Sequence, residues 1–183
     1  MGQIRWQRKA LANVLMSERR PSALAPLGLV IGAVLGLAGS FAPSASLRGL
    51  AWGVDGIALI VAAALLAIHF VQRAHAIMAA GFLVFIVGQT LVVSVSAIPL
   101  EASVPVFGAG AGLWAAALLL ISAPDVMPFP VRVVGGIAAL LFGAIALQIF
   151  AGHDLNPLSQ PLPFFAYPTL VLTLGGWAWW CRQ

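Results

Sequence analysis

Charged residues are scarce in this sequence. They make up 8% of its 183 residues, whereas 62% of the residues are hydrophobic. The mean hydropathy is +1.05. Soluble domains carry about 25% charged residues, so this composition excludes a water-soluble fold of this size. It predicts an all-α, polytopic transmembrane helical bundle.

Several other features are missing. Cys181 is the single cysteine, which excludes an internal disulfide. The apolar runs are long and continuous, so the segments of about ten alternating residues that build a transmembrane β-barrel are absent. The sequence shows no Ser-His-Asp set, no His-Glu-x-x-His motif and no phosphate-binding loop. An enzymatic function is therefore not predicted.

Six apolar windows have the length of about 20 residues that a membrane span requires. They are Ala23–Ala42, Leu50–Val71, Ala76–Ile98, Val104–Ala123, Val131–Ala151 and Leu162–Trp180. Prolines and polar residues fill the breaks between them, where a missing main-chain N–H costs little. We therefore predict a six-helix transmembrane domain over residues 23–183, preceded by a separate segment over residues 1–22.

The basic residues predict the orientation. An even number of spans places both termini on one side, and that side and its turns hold Arg5, Arg8, Lys9, Arg19, Arg20, Arg73, Arg132 and Arg182. The opposite side holds only Arg48. This bias predicts cytoplasmic termini. The composition, rich in alanine and glycine, and the short loops are typical of a bacterial inner-membrane protein. The positive charge is explained by topology, so the bilayer is a predicted partner and nucleic acid is not.

The first 22 residues form a basic amphipathic segment. On a helical wheel Ile4, Leu11 and Val14 share one face, and Arg8 and Lys9 lie on the other side. Such a helix suits an anionic inner leaflet. The alternative is a disordered basic tail that only sets the topology.

His69 and His75 flank the break between the second and third spans. Facing histidines hold a b-type haem in many helical bundles, and these two could face each other across the hairpin. The third histidine, His153, lies on the opposite side, about 30 Å away across the membrane. The sequence favours a cytoplasmic turn over a haem or metal site, and no cofactor is firmly predicted.

Polar side chains inside the spans are candidates for ligand binding. Asp55 is the one acid within an apolar run, and its structural alternative is an ion pair with Arg48 seven residues earlier. Gln89 and Trp114 lie at similar depth in neighbouring spans. We expect the Gln89 carbonyl to accept a hydrogen bond from the Trp114 indole, either as contact between helices or as part of a site.

The predicted outer end of the bundle gathers further polar groups. The segment Ala146–Pro168 contains Gln148, His153, Asp154 and Tyr167, and Glu101 lies in a neighbouring outer loop. Together with Asp55 these side chains could bind a cation or a polar small molecule. The alternative is a solvated loop whose Asp and Asn residues cap helices.

Glycines at intervals of four residues predict close helix packing. Gly28, Gly32 and Gly36 follow one stripe of the first span, and Gly108 and Gly112 do so in the fourth. The first stripe is either buried in the bundle or the face of a homodimer. The predicted tryptophan belts are Trp52 at the outer boundary and, at the inner boundary, Trp177, Trp179 and Trp180.

These features favour small-molecule binding or transport from the periplasmic side. Two alternatives stay open on sequence alone. One is a non-catalytic accessory or assembly subunit that binds a membrane-protein partner. The other is an electron-transfer subunit with haem or quinone, which the histidine positions disfavour.

Overall fold

The computed structural model describes residues 21–183, which form six α-helices and no strand. In chain order they are α1 Leu24–Ser40, α2 Ala45–Gln72, α3 Ala76–Val95, α4 Val104–Ser122, α5 Phe129–Phe150 and α6 Leu162–Trp180. The predicted basic amphipathic segment over residues 1–22 falls almost wholly outside the described residues.

The helices form a closed ring. Each helix packs against its neighbours in sequence, and α6 packs against α1. Four of the helices, α2 to α5, are long and apolar enough to cross a membrane, and α1 is a shorter apolar helix of 17 residues. The predicted all-α membrane bundle is therefore confirmed, and each of the six predicted spans corresponds to one helix.

The helix boundaries follow local sequence signals. α2 begins at Ala45, five residues before the predicted span, because the Ser44 hydroxyl accepts a hydrogen bond from the Leu47 N–H and caps the helix. Prolines stand in the first turns of α4, α5 and α6, where the absent N–H is not needed. The polar residues Ser46 and Arg48 led to the prediction of a loop where the structure has the first turn of α2.

Aromatic rings fill the interior of the ring of helices. Phe70 stacks on Phe82 with centroids 5.6 Å apart, and Phe82 and Phe85 both meet the edge of Trp177, at 5.1 and 5.9 Å. Phe85 then stacks on Trp114 at 6.1 Å. Trp177 is 1% exposed, so its predicted place in a membrane-boundary belt is wrong. It fills the space between α3 and α6, which lie on different sides of the ring.

The glycine stripes are used for packing within the chain. A Cβ added at Gly28 would lie 2.7 Å from the main-chain oxygen of Ala58 on α2. A Cβ at Gly108 would lie 2.7 Å from the Ile149 side chain on α5. Of the two predicted roles for the first stripe, burial in the bundle is the one that the structure shows.

The two ends of the bundle differ in their turns. We call one the Arg73 end; it carries the α2–α3 and α4–α5 turns and the C-terminus. Here Arg132 forms an ion pair with Asp125 and donates to the main-chain oxygens of Ser122 and Ala123, each at 3.0 Å. We call the other the Glu101 end; it carries the α1–α2, α3–α4 and α5–α6 connections. The candidate site lies at the Glu101 end.

Candidate functional site

A small polar cavity lies inside the Glu101 end. Its walls include Asp55 and Trp52 from α2, Gln89 from α3, Tyr167 from α6 and Pro157 from the α5–α6 connection. The cavity has a volume of about 20 Å³. A volume of this size holds about one water molecule. Three helices and a proline-rich connection thus bring together residues that are far apart in the sequence.

Two of the lining side chains present acceptor atoms that nothing in the described chain satisfies. Asp55 Oδ1 and Gln89 Oε1 are both buried and have no hydrogen-bond partner. Gln89 is 1% exposed, so its amide is almost fully enclosed by protein. Burying a polar atom without a partner is costly, and most native proteins contain few of them. Two residues with such acceptors line one cavity, which makes this cavity the candidate place for a donor or a cation.

The predicted ion pair between Asp55 and Arg48 does not form. The Arg48 guanidinium lies over the Trp52 ring, 6.0 Å from its centroid, and Arg48 Nε is buried without a partner. Seven residues along a helix amount to a rise of about 10 Å. Trp52 occupies the turn between the two charges, so sharing a helix face is not sufficient for contact.

The predicted hydrogen bond between Gln89 and Trp114 is also wrong. The two residues do lie at similar depth, because a Cβ added at Gly88 would stand 2.9 Å from Trp114 Cδ1. However, Gln89 Oε1 and Trp114 Nε1 both lack a hydrogen-bond partner. The Trp114 ring stacks on Phe85, one turn before Gln89, and this packing holds the indole away from the amide.

Glycines of α1 form the wall behind the Asp55 carboxyl group. A Cβ added at Gly32 would lie 3.1 Å from Asp55 Oδ1, and one at Gly36 would lie 3.1 Å from Oδ2. The Trp52 indole N–H donates to the main-chain oxygen of Gly36 at 3.2 Å. The stripe that the sequence predicts as a packing surface therefore also makes room for the carboxylate.

An apolar groove adjoins the cavity. It has a volume of about 260 Å³ and shares Tyr167 and Pro157 with the polar cavity. Its other walls come from the end of α1, the α5–α6 connection and the start of α6: Leu37, Ser40, Phe41, Leu158, Gln160, Phe164 and Pro168. Tyr167 therefore borders both the polar cavity and the larger apolar groove.

The predicted site residues separate into two groups. Asp55, Gln89 and Tyr167 line the cavity, and Trp114 packs edge-on against Tyr167 with ring centroids 6.3 Å apart. The other four do not line it. Glu101 borders a different groove together with Arg48, and Gln148, His153 and Asp154 are exposed.

Sequence reasoning missed Trp52 and the walls of the groove. Trp52 precedes Asp55 by three residues, so helical spacing places both on one face, which is a signal that could have been used. Pro157 and Leu158 carried no comparable signal, because the path of an irregular connection over the helix ends is not encoded in a periodic pattern.

The two histidines of the Arg73 end lie among aromatic rings. His69 is buried and meets Phe70 and Trp180 edge-on, with centroids at 5.3 and 6.3 Å. His75 precedes α3 and also packs against Phe70, at 6.2 Å. Ala74 between the helices has a φ of 59°, and the His75 N–H donates to Phe70 O, so this segment is a tight reversal.

Within residues 21–183 there is no group of three or more histidine, cysteine, aspartate or glutamate residues that could hold a metal ion. The Asp55 cavity and its adjoining groove are the candidate site, because two of the lining residues carry buried acceptors without partners. Comparison with known proteins gives no match, whether with family models, curated proteins or solved structures.

Proposed function

We propose that this membrane protein binds a small molecule at the Glu101 end and transports it across a bacterial inner membrane. The proposal rests on one observation: Tyr167 borders both an apolar groove and a cavity that is lined by polar residues. On one side is an apolar groove of about 260 Å³, and on the other are the buried acceptor atoms of Asp55 and Gln89. Concave apolar sites with a few convergent polar groups are the usual form of ligand sites.

The residues that line the groove and the cavity suggest the class of ligand. The groove is lined mainly by Leu37, Phe41, Leu158 and Phe164, which suit the apolar part of a molecule. The buried atoms without partners in the cavity lining are the oxygen acceptors of Asp55 and Gln89, so the cavity favours a hydrogen-bond donor or a positive charge. The groove is near the lower limit of ordinary ligand pockets, which favours a small ligand.

The orientation is part of the proposal. The excess of arginine and lysine in the termini and in the turns of the Arg73 end supports a cytoplasmic location for that end. The Glu101 end then faces the periplasm, and the ligand enters from there. Replacing Glu101 by cysteine in a Cys181→Ser background tests this directly. We expect labelling by a membrane-impermeant maleimide in intact cells at residue 101, and none for the matched Gln183→Cys variant.

Native mass spectrometry of the full chain, released from a mild detergent, tests ligand binding. We expect a bound small molecule on the wild-type protein and its loss in Asp55→Asn, because the amide removes the charge at the cavity. Asp154→Asn is the matched control, since Asp154 is exposed and does not line the cavity. Wild-type protein that carries no ligand, or that carries a protein partner instead, would contradict the proposal and favour an accessory subunit.

A further inference from the structure

We propose that the Asp55 cavity is a binding site for a single small cation, either Na⁺ or a proton, held by Asp55 and Gln89. This goes beyond the organic ligand proposed for the groove. It does not depend on that ligand, because Asp55 and Gln89 line the cavity and not the groove. The argument rests on the charge, the donor atoms and the size of the cavity.

The charge of Asp55 has no compensation from the described protein. No lysine, arginine or histidine lines the cavity, and Arg48 is engaged with the Trp52 ring. α1 and α3 contribute no titratable side chain, and α6 contributes only the Tyr167 phenol. A carboxylate inside a helical membrane bundle is expensive unless it is paired, and such residues commonly mark ion or proton sites. A bound cation supplies the missing charge.

The second ligand is the Gln89 side chain. Its Oε1 is buried, lines the same cavity as Asp55 and has no hydrogen-bond partner, in a residue that is 1% exposed. Carboxylate and amide oxygens are the ligands that hard cations prefer. In membrane transporters such groups coordinate Na⁺ or H⁺ near breaks and helix ends. Packing alone does not explain a buried amide oxygen that lacks a hydrogen-bond partner.

The size of the cavity restricts the occupant. A volume of about 20 Å³ admits one water molecule or one bare ion and is too small for a whole organic molecule. The rest of the wall is formed by Trp52, Val92, Val93, Val95, Pro157 and Tyr167, so the body of a larger ligand belongs in the groove. The competing explanation is a cavity that holds one structural water beside an ionised Asp55.

Thermal unfolding of the full chain in detergent tests the sodium form. Choline chloride replaces NaCl at constant ionic strength, so that only the identity of the cation changes. A ligand that binds only the folded state raises the melting temperature with its concentration. We expect this rise in the wild type and in Asp154→Asn, and its loss in Asp55→Asn. Gln89→Leu should weaken the apparent sodium affinity roughly tenfold, as for a lost hydrogen bond to a charged group.

Infrared spectroscopy of the same samples tests the proton form. A proton on Asp55 gives a carbonyl stretch of a neutral carboxylic acid, which Asp55→Asn removes and Asp154→Asn keeps. A sodium-dependent melting temperature supports Na⁺, and a sodium-independent one together with this band supports the proton. If neither appears, Asp55 is an ionised carboxylate beside water and the proposal is overturned. That result would not contradict the organic ligand, because an ionised Asp55 could still meet its donor or charge; native mass spectrometry tests that ligand separately.

Discussion

The Asp55 carboxyl group of α2 lies directly against Gly36 of α1, so that a Cβ on Gly36 would stand 3.1 Å from Asp55 Oδ2. An acid inside a membrane helix is thus accommodated by the absence of a side chain on its neighbour. The same glycine accepts the Trp52 indole N–H through its main-chain oxygen. The contact between α1 and α2 therefore serves both the packing of the bundle and the shape of the site.

Alanine at Gly28 should destabilise the bundle. Its Cβ would lie 2.7 Å from the main-chain oxygen of Ala58, and a main-chain atom cannot move aside as a side chain can. We expect a loss of about 1–3 kcal/mol, as for other overpacked sites. Gly53→Ala on α2 is the matched control, because nothing lies within 4 Å of its added Cβ. Melting temperatures in detergent compare the two; equal stability for both variants would contradict the packing of α1 on α2.

Phenylalanine at Trp52 should loosen α1 from α2. The change keeps an aromatic ring but removes the N–H that donates to Gly36 at 3.2 Å. We expect a loss of roughly 1 kcal/mol in the free energy of unfolding, the usual value for such a bond. Trp179→Phe serves for comparison, since Trp179 is 52% exposed. Chemical denaturation in detergent measures both, and a loss that is as large for Trp179→Phe would mean that ring size, not the hydrogen bond, matters.

The helices could be predicted from the sequence because span length and turn chemistry are local signals. The first residue of α3 and of α4 and both limits of α6 agree with the predicted windows. The side-chain partners could not be predicted in the same way. Counting residues from the turn predicted correctly that Gln89 and Trp114 lie at similar depth. The stacking of Trp114 on Phe85, however, depends on how α3 and α4 are rotated about their own axes. Hydropathy contains no information about that rotation.

The same limit explains the errors at Asp55 and Trp177. Pairing Asp55 with Arg48 used helical spacing but not the bulk of Trp52 between them. Trp177 was assigned to the membrane boundary from its position near the C-terminus, whereas the gap between α3 and α6 is filled by its ring. Both errors concern side chains in the interior of the bundle. There, the packing of several helices determines which side chain fills a given space.

Replacing Arg132 should weaken the α4–α5 turn. Its guanidinium donates to the main-chain oxygens of Ser122 and Ala123, which the end of α4 would otherwise leave unsatisfied. We expect Arg132→Gln to cost about 1.5–3 kcal/mol, the range for hydrogen bonds to a charged group. Asp125→Asn should cost less than about 1 kcal/mol, because the Asp125 side chain is 91% exposed. Similar losses in both variants, measured by thermal unfolding, would show that the ion pair dominates instead.

The thiol of Cys181 should resist alkylation in the folded protein. Cys181 is 6% exposed, and burial raises its pKa to about 12. Because the thiolate is the reactive form, labelling of the native protein should be far slower than that of the denatured protein throughout pH 7 to 9, and its rate should still be rising at pH 9. In denaturing detergent the labelling rate should level off above about pH 8.5, since an ordinary thiol has a pKa near 8.5. Native labelling that follows the denatured profile would contradict the burial of this residue; Cys181→Ser gives the background.

The central claim is that Asp55 and Gln89 face one occupied polar cavity at the Glu101 end. The most direct measurement is a high-resolution crystal structure of the full chain grown from a lipidic mesophase in sodium-containing buffer. The account predicts density for one Na⁺ bonded to both the Asp55 carboxyl group and Gln89 Oε1, or a protonated Asp55 carboxyl group hydrogen-bonded directly to Gln89 Oε1. An ordered water beside Asp55 in place of the ion, or a Gln89 amide that pairs with Trp114 and faces away from Asp55, would contradict it.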